Sequence, residues 1–420
     1  MAKYLAKRLC FQNQERHSVL QVVNGLPVHE VTLYLKKYRT RGRAANTIHA
    51  VCRCLALLYR HLDSAKINLL ALLYEGRFLS SSQLNRLATA AQYRMDDLDK
   101  EDNQNASSKV ISVDKIGYRK KKTIQLTEAV DTNTQGRRLR YIADFLEFIS
   151  EYIGTTLEDS KGQLLKSETA SALKAFKEHI PPSSGRAKIN ARVGLSIEEQ
   201  NRLLEVVDLN SPINPWARGY TRIRNRLIVV IYLATGMRRG ELLGLQIGDL
   251  SSTEPKLKII RRADEGDDPR TIQPGTKTYD REIELAPRIM KALWSYIQNE
   301  RYSIKAARKV PQVFVSDEGD PLSHSSMDKI FFQIRKACPD LPKALTSHVL
   351  RHTWNERFSE EADAMGLSEN AEERARNSQQ GWSDNSKMAS TYTRRHTTKK
   401  GRELSLKLQE KLDGKIGEKN

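Results

Sequence analysis

Cysteine is scarce in this 420-residue chain, which has only Cys10, Cys52, Cys54 and Cys338. Their spacing fits neither a zinc site nor a redox pair, which argues against a disulfide framework and for a reducing compartment. Long apolar runs are also missing. The longest, LIVVIYLA from Leu227 to Ala234, is far too short to span a bilayer and predicts a buried helix. The basic opening MAKYLAKRLC leads into no apolar segment of the kind a secretory signal needs. Acid is short relative to base. There are 51 Asp plus Glu against 70 Lys plus Arg, a formal net charge of +19. That balance favours a polyanionic partner, most commonly nucleic acid. A membrane-surface role is disfavoured because no long lysine-rich amphipathic helix stands out. A soluble, cytoplasmic protein is expected.

What is present is a chain 39 % hydrophobic, enough for a sizeable core and for two or three domains. Residues from about 28 to 95 read as helical. In ANTIHAVCRCLALLYRHL, Ile48, Val51, Leu55, Leu58 and Leu62 follow a period near 3.6. A polar insertion near 99–133 interrupts and carries the basic cluster Arg119, Lys120, Lys121 and Lys122. Helical patterning resumes in LRYIADFLEFISEYI through Tyr141, Phe145, Phe148, Ile149 and Tyr152. The stretch PPSSGRAKINARVG at 181–194 has linker composition. Ser196 followed by Glu199 then fits a capping box, so a second domain is expected to start there. That second region is mixed: a helix over Arg222–Ala234 that becomes apolar all round, a break at Thr235 and Gly236, and a short helix from about Arg238. KLKIIRR and REIELA are strand candidates with Lys277 in the turn-rich segment between them, and VFVS is a further extended candidate. The rest, to about Leu412, is helical in pattern, with a polar, frayed tail over 413–420.

The segment LTSHVLRHTW places His348, Arg351 and His352 on one helix, with Thr346 or Ser347 available to cap it. Two histidines four apart can bind zinc, but Val349 stands where a zinc protease needs Glu, and no third ligand is in view. No metal is therefore expected. An anion reading fits better, because an imidazole and a planar guanidinium suit phosphate oxygens. The plain alternative is an ordinary helix with a solvated Arg351 and a core His352. ATGMRRGELLGL bears on that choice. Arg238 follows a Thr-Gly break between two helices, with Glu241 one turn on as a brace. A cation near a helix start is mildly unfavourable, which hints at a purpose.

TGMRRGEL, then HVLRHT, then GWSDNSKMASTYTRR occur in this order, and together they resemble the phage integrase family of tyrosine recombinases. The likeness covers about Leu195 to Leu412. It implies a mostly α fold with a small β-sheet in a mixed α/β catalytic domain at 195–412. A helical, core-binding-like DNA-binding region at 1–180 would precede it, with 181–194 as the linker. The family's chemistry is strand cleavage by a tyrosine that forms a 3′-phosphotyrosyl link and frees a 5′ hydroxyl, with no metal and no cofactor. The absence of a G-x-x-x-x-G-K-[ST] loop agrees with this.

On that resemblance Tyr392 matches the nucleophile, and it is the only tyrosine after Tyr302. Arg238 and Arg351 match the arginines that hold the non-bridging oxygens, and His348 matches the histidine of the second motif. Lys277 matches the hairpin lysine that protonates the leaving oxygen. Trp382 stands where many relatives have His; its indole N–H can donate one hydrogen bond but cannot shuttle a proton. Two departures stand out: an acidic insertion around Glu360 to Glu373, and about one extra residue between Trp382 and Tyr392.

The resemblance also implies double-stranded DNA as partner, a homotetramer on two DNA sites, and room for accessory proteins. Arg39, Arg41 and Arg43, with the 119–122 cluster, are the DNA-binding candidates of the N-terminal half, and the two halves would grip opposite sides of the duplex. In a prokaryote the protein would be nucleoid-associated, and integration or excision of a mobile element is the expected role. The alternatives are a catalytically inactive DNA-binding regulator on a recombinase scaffold and a type IB topoisomerase-like enzyme.

Overall fold

A computed structural model describes residues 4–93, 129–182, 194–217, 219–262, 265–384, 386, 388 and 394–417. The chain divides into two compact units, Met1–Lys188 and Ile189–Asn420.

The first unit opens on strands, where the sequence reading had only helices. β1 (Tyr4–Cys10) and β2 (Arg16–Val22) pair antiparallel, with Tyr4 opposite Val22 and Cys10 opposite Arg16. The missed signal is the run SVLQVV, whose β-branched residues suit a half-buried pleated surface. Behind the hairpin lies α2 (Ala45–Ser64). Its expected core positions Ile48, Val51, Leu55, Leu58 and Leu62 are all buried. α1 (His29–Thr40), α3 (Leu69–Tyr74) and α4 (Ser81–Ala90) follow. Ser80 and Gln83 close a reciprocal capping box on α4.

α5 (Thr132–Gly154) and α6 (Asp159–Glu178) complete the unit. On α5 the period is the expected one but the face is rotated. Leu139, Ile142, Phe145, Leu146, Ile149 and Ile153 form the core side, whereas Tyr152 is half exposed. Aromatic rings tolerate such edge positions because they bury a face while keeping a polar tip in water. Burial pushes the Cys52 thiol up to about 12 and the Cys54 thiol up to about 11, so both stay protonated and unreactive.

The second unit is built around α8 (Gly219–Thr235), whose Ile228, Val229, Ile231 and Tyr232 are fully buried. α7 (Ile197–Val206) starts at the expected capping box: the Ser196 hydroxyl accepts from the Glu199 amide, and the Glu199 carboxylate accepts from the Ser196 amide. α9 (Arg239–Gly244) is the short helix after the Thr-Gly break. β3 (Lys256–Ile259) and β4 (Arg281–Glu284) pair antiparallel, Lys256 opposite Glu284 and Ile259 opposite Arg281. The VFVS segment is extended: the Val313 amide donates to Leu245 O, and Val315 bridges to Pro321.

α10 (Pro287–Tyr296) and α11 (His324–Ala337) pack into the same core. α12 (Ser347–Ala364) lies against α8. The acidic insertion forms the end of α12, a turn through Gly366, and the start of α13 (Glu369–Gln380), which Ser368 caps. α14 (Arg394–Gly417) runs five residues past the expected end at Leu412. A single glycine in a helix costs only about 1 kcal/mol, so the Asp-Gly there does not stop it. Among the described residues no helix is long and apolar enough to cross a membrane.

Candidate functional site

The Thr-Gly break after α8 positions the first cation. Thr235 ends the helix with its hydroxyl bonded back to Ile231 O at 2.7 Å. Gly236 then turns the chain at φ +60°. A Cβ on Gly236 would lie 2.8 Å from the Trp354 ring, so this position needs glycine for both conformation and space. Gly236→Ala is expected to destabilise this unit by about 2–4 kcal/mol, read as a lower urea midpoint at unchanged slope. An unchanged midpoint would mean the turn relaxes freely.

Arg238 sits at the N-cap of α9, and its amide donates to Glu241 Oε2 at 2.8 Å. Its side chain is about one quarter exposed, with Nη1 3.6 Å from Glu241 Oε1. Glu241 is the brace expected of it, but its main partner is Arg281, which the sequence did not single out. Arg281 Nη2 meets Glu241 Oε2 at 2.9 Å, and the Thr278 hydroxyl donates to Oε1 at 2.7 Å. Burial alone would raise the Glu241 carboxyl. The Arg281 charge, with hydrogen bonds from Arg281, Thr278 and the Arg238 amide, outweighs it and holds the pKa below the usual carboxylate value. A carboxyl depressed on folding stabilises fully above its unfolded pKa and loses that contribution as pH falls through the folded value. Thermal unfolding of Glu241→Gln between pH 3 and pH 7 is therefore expected to show a flatter acid limb than the wild type. An acid limb of equal slope would remove Glu241 as its source.

α12 presents the second group. Thr346 is its N-cap, but its hydroxyl makes no cap bond. Arg351 is only 1 % exposed, which overturns the picture of a solvated arginine. Its Nη1 donates to Gly236 O at 2.6 Å, so the carbonyl of the tight turn anchors it. His348, one turn earlier, is half-buried. The buried His352 meets it edge to face, with ring centroids 4.9 Å apart. Among the described residues no three His, Cys, Asp or Glu side chains gather as a metal site would require.

Trp382 joins the two arginines. Gly381, left-handed at φ +61°, ends α13, and the Trp382 amide donates to Asn377 O at 2.8 Å. The buried indole then has the Arg238 guanidinium 5.9 Å from its centroid and that of Arg351 at 5.3 Å. Lys277 is exposed in the segment leading to β4. A Cβ on Gly240 would come 2.5 Å from Gly275 O, so the chain just before Lys277 lies against α9. Just after it, the Tyr279 amide donates to Gly381 O at 2.9 Å. The structure thus brings Arg238, Arg351 and Trp382 together and sets the Lys277 segment against both α9 and the end of α13. Tyr392 lies outside the described residues.

In the first unit Arg41 and Arg43 are exposed, while Arg39 is held by Glu15, with Nε 2.6 Å from Oε1. Arg119, Lys120, Lys121 and Lys122 lie outside the described residues, as does the linker from 183 to 193. A basic group the sequence reading passed over gathers on β1 and α2. Arg8 donates to Asn46 Oδ1 at 2.7 Å, and burial, then the charges of Arg8 and Arg53, push the His49 pKa down to about 4. The residues are far apart in sequence, so no charge run marked them.

Residues 198–398 match the phage integrase family. Tyrosine recombinase XerD of Halalkalibacterium halodurans is 24 % identical over 212 residues, covering 50 % of this chain and 66 % of that protein. Tyrosine recombinase XerD of Staphylococcus haemolyticus is 28 % identical over 160 residues, 38 % of this chain and 46 % of that one. The chain therefore spans less than two thirds of either relative's length. The solved structure of the Tn1549 transposon integrase in complex with circular intermediate DNA aligns with a TM-score of 0.47 and 15 % identity, over 88 % of this chain and 98 % of that one. Arg238, Lys277, His348, Arg351 and Trp382 all lie within the stretch that matches the phage integrase family.

Proposed function

We propose that the protein is a site-specific DNA recombinase that cleaves and rejoins strands through a 3′-phosphotyrosyl intermediate at Tyr392. The observation that supports this most is the convergence of the Arg238 and Arg351 guanidinium groups on the Trp382 indole. Two like charges gathered at one place are unfavourable until an anion sits between them. A pentacoordinate phosphorane, which carries more negative charge than the phosphodiester, is stabilised most. In the proposed step the Tyr392 oxygen attacks phosphorus and the bond to the 5′ oxygen breaks. Lys277 gives that oxygen its proton, and His348 assists removal of the tyrosine proton. The bond energy stays in the tyrosyl ester, so rejoining needs no cofactor.

Strand exchange on two sites calls for a homotetramer. α14 leaves Leu404, Leu406 and Leu408 exposed and available for contact with a neighbouring copy. Integration or excision of a mobile element is the role we favour, since the basic first unit lies outside the family match. The test is a nicked suicide duplex cut from DNA flanking the gene. A covalent adduct whose DNA-linked peptide contains Tyr392 supports the reading, and a protein that binds without an adduct would instead be a DNA-binding regulator. A two-site recombination assay separates a recombinase from a topoisomerase, which would relax supercoils without exchange.

In the first unit, Arg41, Arg43, Arg8 and Arg53 are the proposed phosphate contacts. Neutralising Arg41 or Arg43 is expected to reduce the slope of log K against log salt by about 1 each. Arg39→Ala should change it much less, because Glu15 already engages that guanidinium. Fluorescence anisotropy between 50 and 200 mM salt measures this. Equal slopes for all three variants would move the DNA surface elsewhere.

A further inference from the structure

The Arg281 side chain is buried, and among the described residues its hydrogen bonds go to Gln379, Thr278 and Glu241. Its side chain is 6 % exposed. Nε donates to Gln379 O at 2.7 Å, and Nη2 to Glu241 Oε2 at 2.9 Å. Nη1 donates to Thr278 Oγ1 at 3.2 Å and to Glu241 Oε1 at 3.3 Å. With its donors so committed, it is no phosphate ligand. What distinguishes it from an ordinary buried ion pair is where those acceptors lie. Glu241 braces Arg238, Thr278 follows Lys277, and Gln379 stands three residues before Trp382. One planar guanidinium therefore ties together three segments, each carrying one group of the candidate site.

The Lys277 segment is the part that most needs such a tie. It is a turn-rich connection between two short strands, and Lys277 itself is exposed. Its neighbours are pinned one by one. Gly275 O abuts Gly240, the Thr278 hydroxyl is on Glu241, and the Tyr279 amide is on Gly381 O. Asp280 accepts from the Arg261 amide at 2.6 Å. Arg281 and Glu241 are the hub for the Thr278 and Gln379 ends of this set. The Gly381 backbone also depends on the arrangement, since a Cβ there would meet Tyr279 O at 2.8 Å and Arg281 Nη1 at 2.9 Å.

We propose that Arg281 is a positioning residue for leaving-group protonation: by bridging Glu241, Thr278 and Gln379 it fixes the Lys277 segment where the lysine can reach the departing 5′ oxygen. This rests on the strand-cleavage reading above. In that step the Tyr392 oxygen bonds to phosphorus, the P–O5′ bond breaks, and the 5′ oxygen takes a proton from the Lys277 ammonium. A lysine cannot replace Arg281, because a point charge with three donors does not match the forked acceptors.

The test compares single-turnover adduct formation on two nicked duplexes, one with the ordinary phosphodiester and one with sulfur in the 5′-bridging position. A thiolate leaves without a proton, so the sulfur substrate does not need Lys277. Arg281→Gln is expected to slow cleavage of the ordinary duplex about 10²-fold. On the sulfur duplex it should come within about threefold of the wild type, the acid being dispensable there. Lys277→Ala sets the pattern for comparison, and Arg281→Lys should resemble Arg281→Gln. Thr278→Val, which removes only the bridging hydroxyl, should show the same selectivity at about tenfold and decides the matter if Arg281→Gln fails to fold. Equal losses on both substrates for the Arg281 and Thr278 variants, with Lys277→Ala rescued, would reduce Arg281 to a structural ion pair and overturn the inference alone. A Lys277→Ala that sulfur does not rescue, or a wild type that forms no adduct, overturns the inference together with the reading it rests on.

Discussion

Tyr392→Phe is expected to abolish covalent adduct formation on a nicked suicide duplex while leaving DNA affinity within a factor of about two. The substitution removes one oxygen, and that oxygen is the proposed nucleophile. A phenol with a pKa near 10 is a weak nucleophile at neutral pH, so the reaction depends on activation of the phosphate as much as on the tyrosine. Affinity comes from phosphate contacts spread over basic side chains and does not involve the hydroxyl. No other tyrosine follows Tyr302, so no neighbour can substitute. An adduct retained in Tyr392→Phe would place the nucleophile elsewhere.

Arg351→Ala is expected to lower the single-turnover cleavage rate by about 10²–10³-fold, the cost of losing one preorganised donor to a developing oxyanion. It should also destabilise the second unit by about 1–3 kcal/mol, because Gly236 O loses a buried donor. Arg351→Lys restores charge but not the planar fork, so activity should recover by no more than about tenfold. Two measurements separate catalysis from folding: the adduct rate, and the urea midpoint. If Arg351→Ala lowers the midpoint but leaves the rate alone, the guanidinium is a strut for the Gly236 turn. A fall in both, with Arg351→Lys recovering the midpoint more than the rate, assigns it to the phosphate.

Several features of the fold are legible in the sequence. The capping box at Ser196 and Glu199 depends on four consecutive positions, and it formed as read. The buried stripe of α2 depends only on helical spacing, which is why all five of its expected positions are inside. Other readings failed where local signals were ambiguous. The opening hairpin is hard to read because its turn, Phe11 to Glu15, has no glycine or proline to mark it and the β-branched run is short. Aromatic side chains suggest one face of α5, yet apart from Phe145 it is aliphatic residues that fill its core side. α14 outran its expected end because an interior glycine weakens a helix without terminating it.

Two arginines, a lysine, a histidine and a late tyrosine can be read straight from the chain, in an order that points to phosphoryl transfer. Those are identities and chain positions, and short motifs record them. How those groups are held depends on long-range packing. Arg238 and Arg351 are 113 residues apart in the chain, and their approach to one indole follows from packing α8 against α12. Glu241 gained its partner Arg281 because the β3–β4 hairpin folds back onto α9. Pairing of that kind reflects how buried charge is compensated across distant segments, and no local spacing rule carries it.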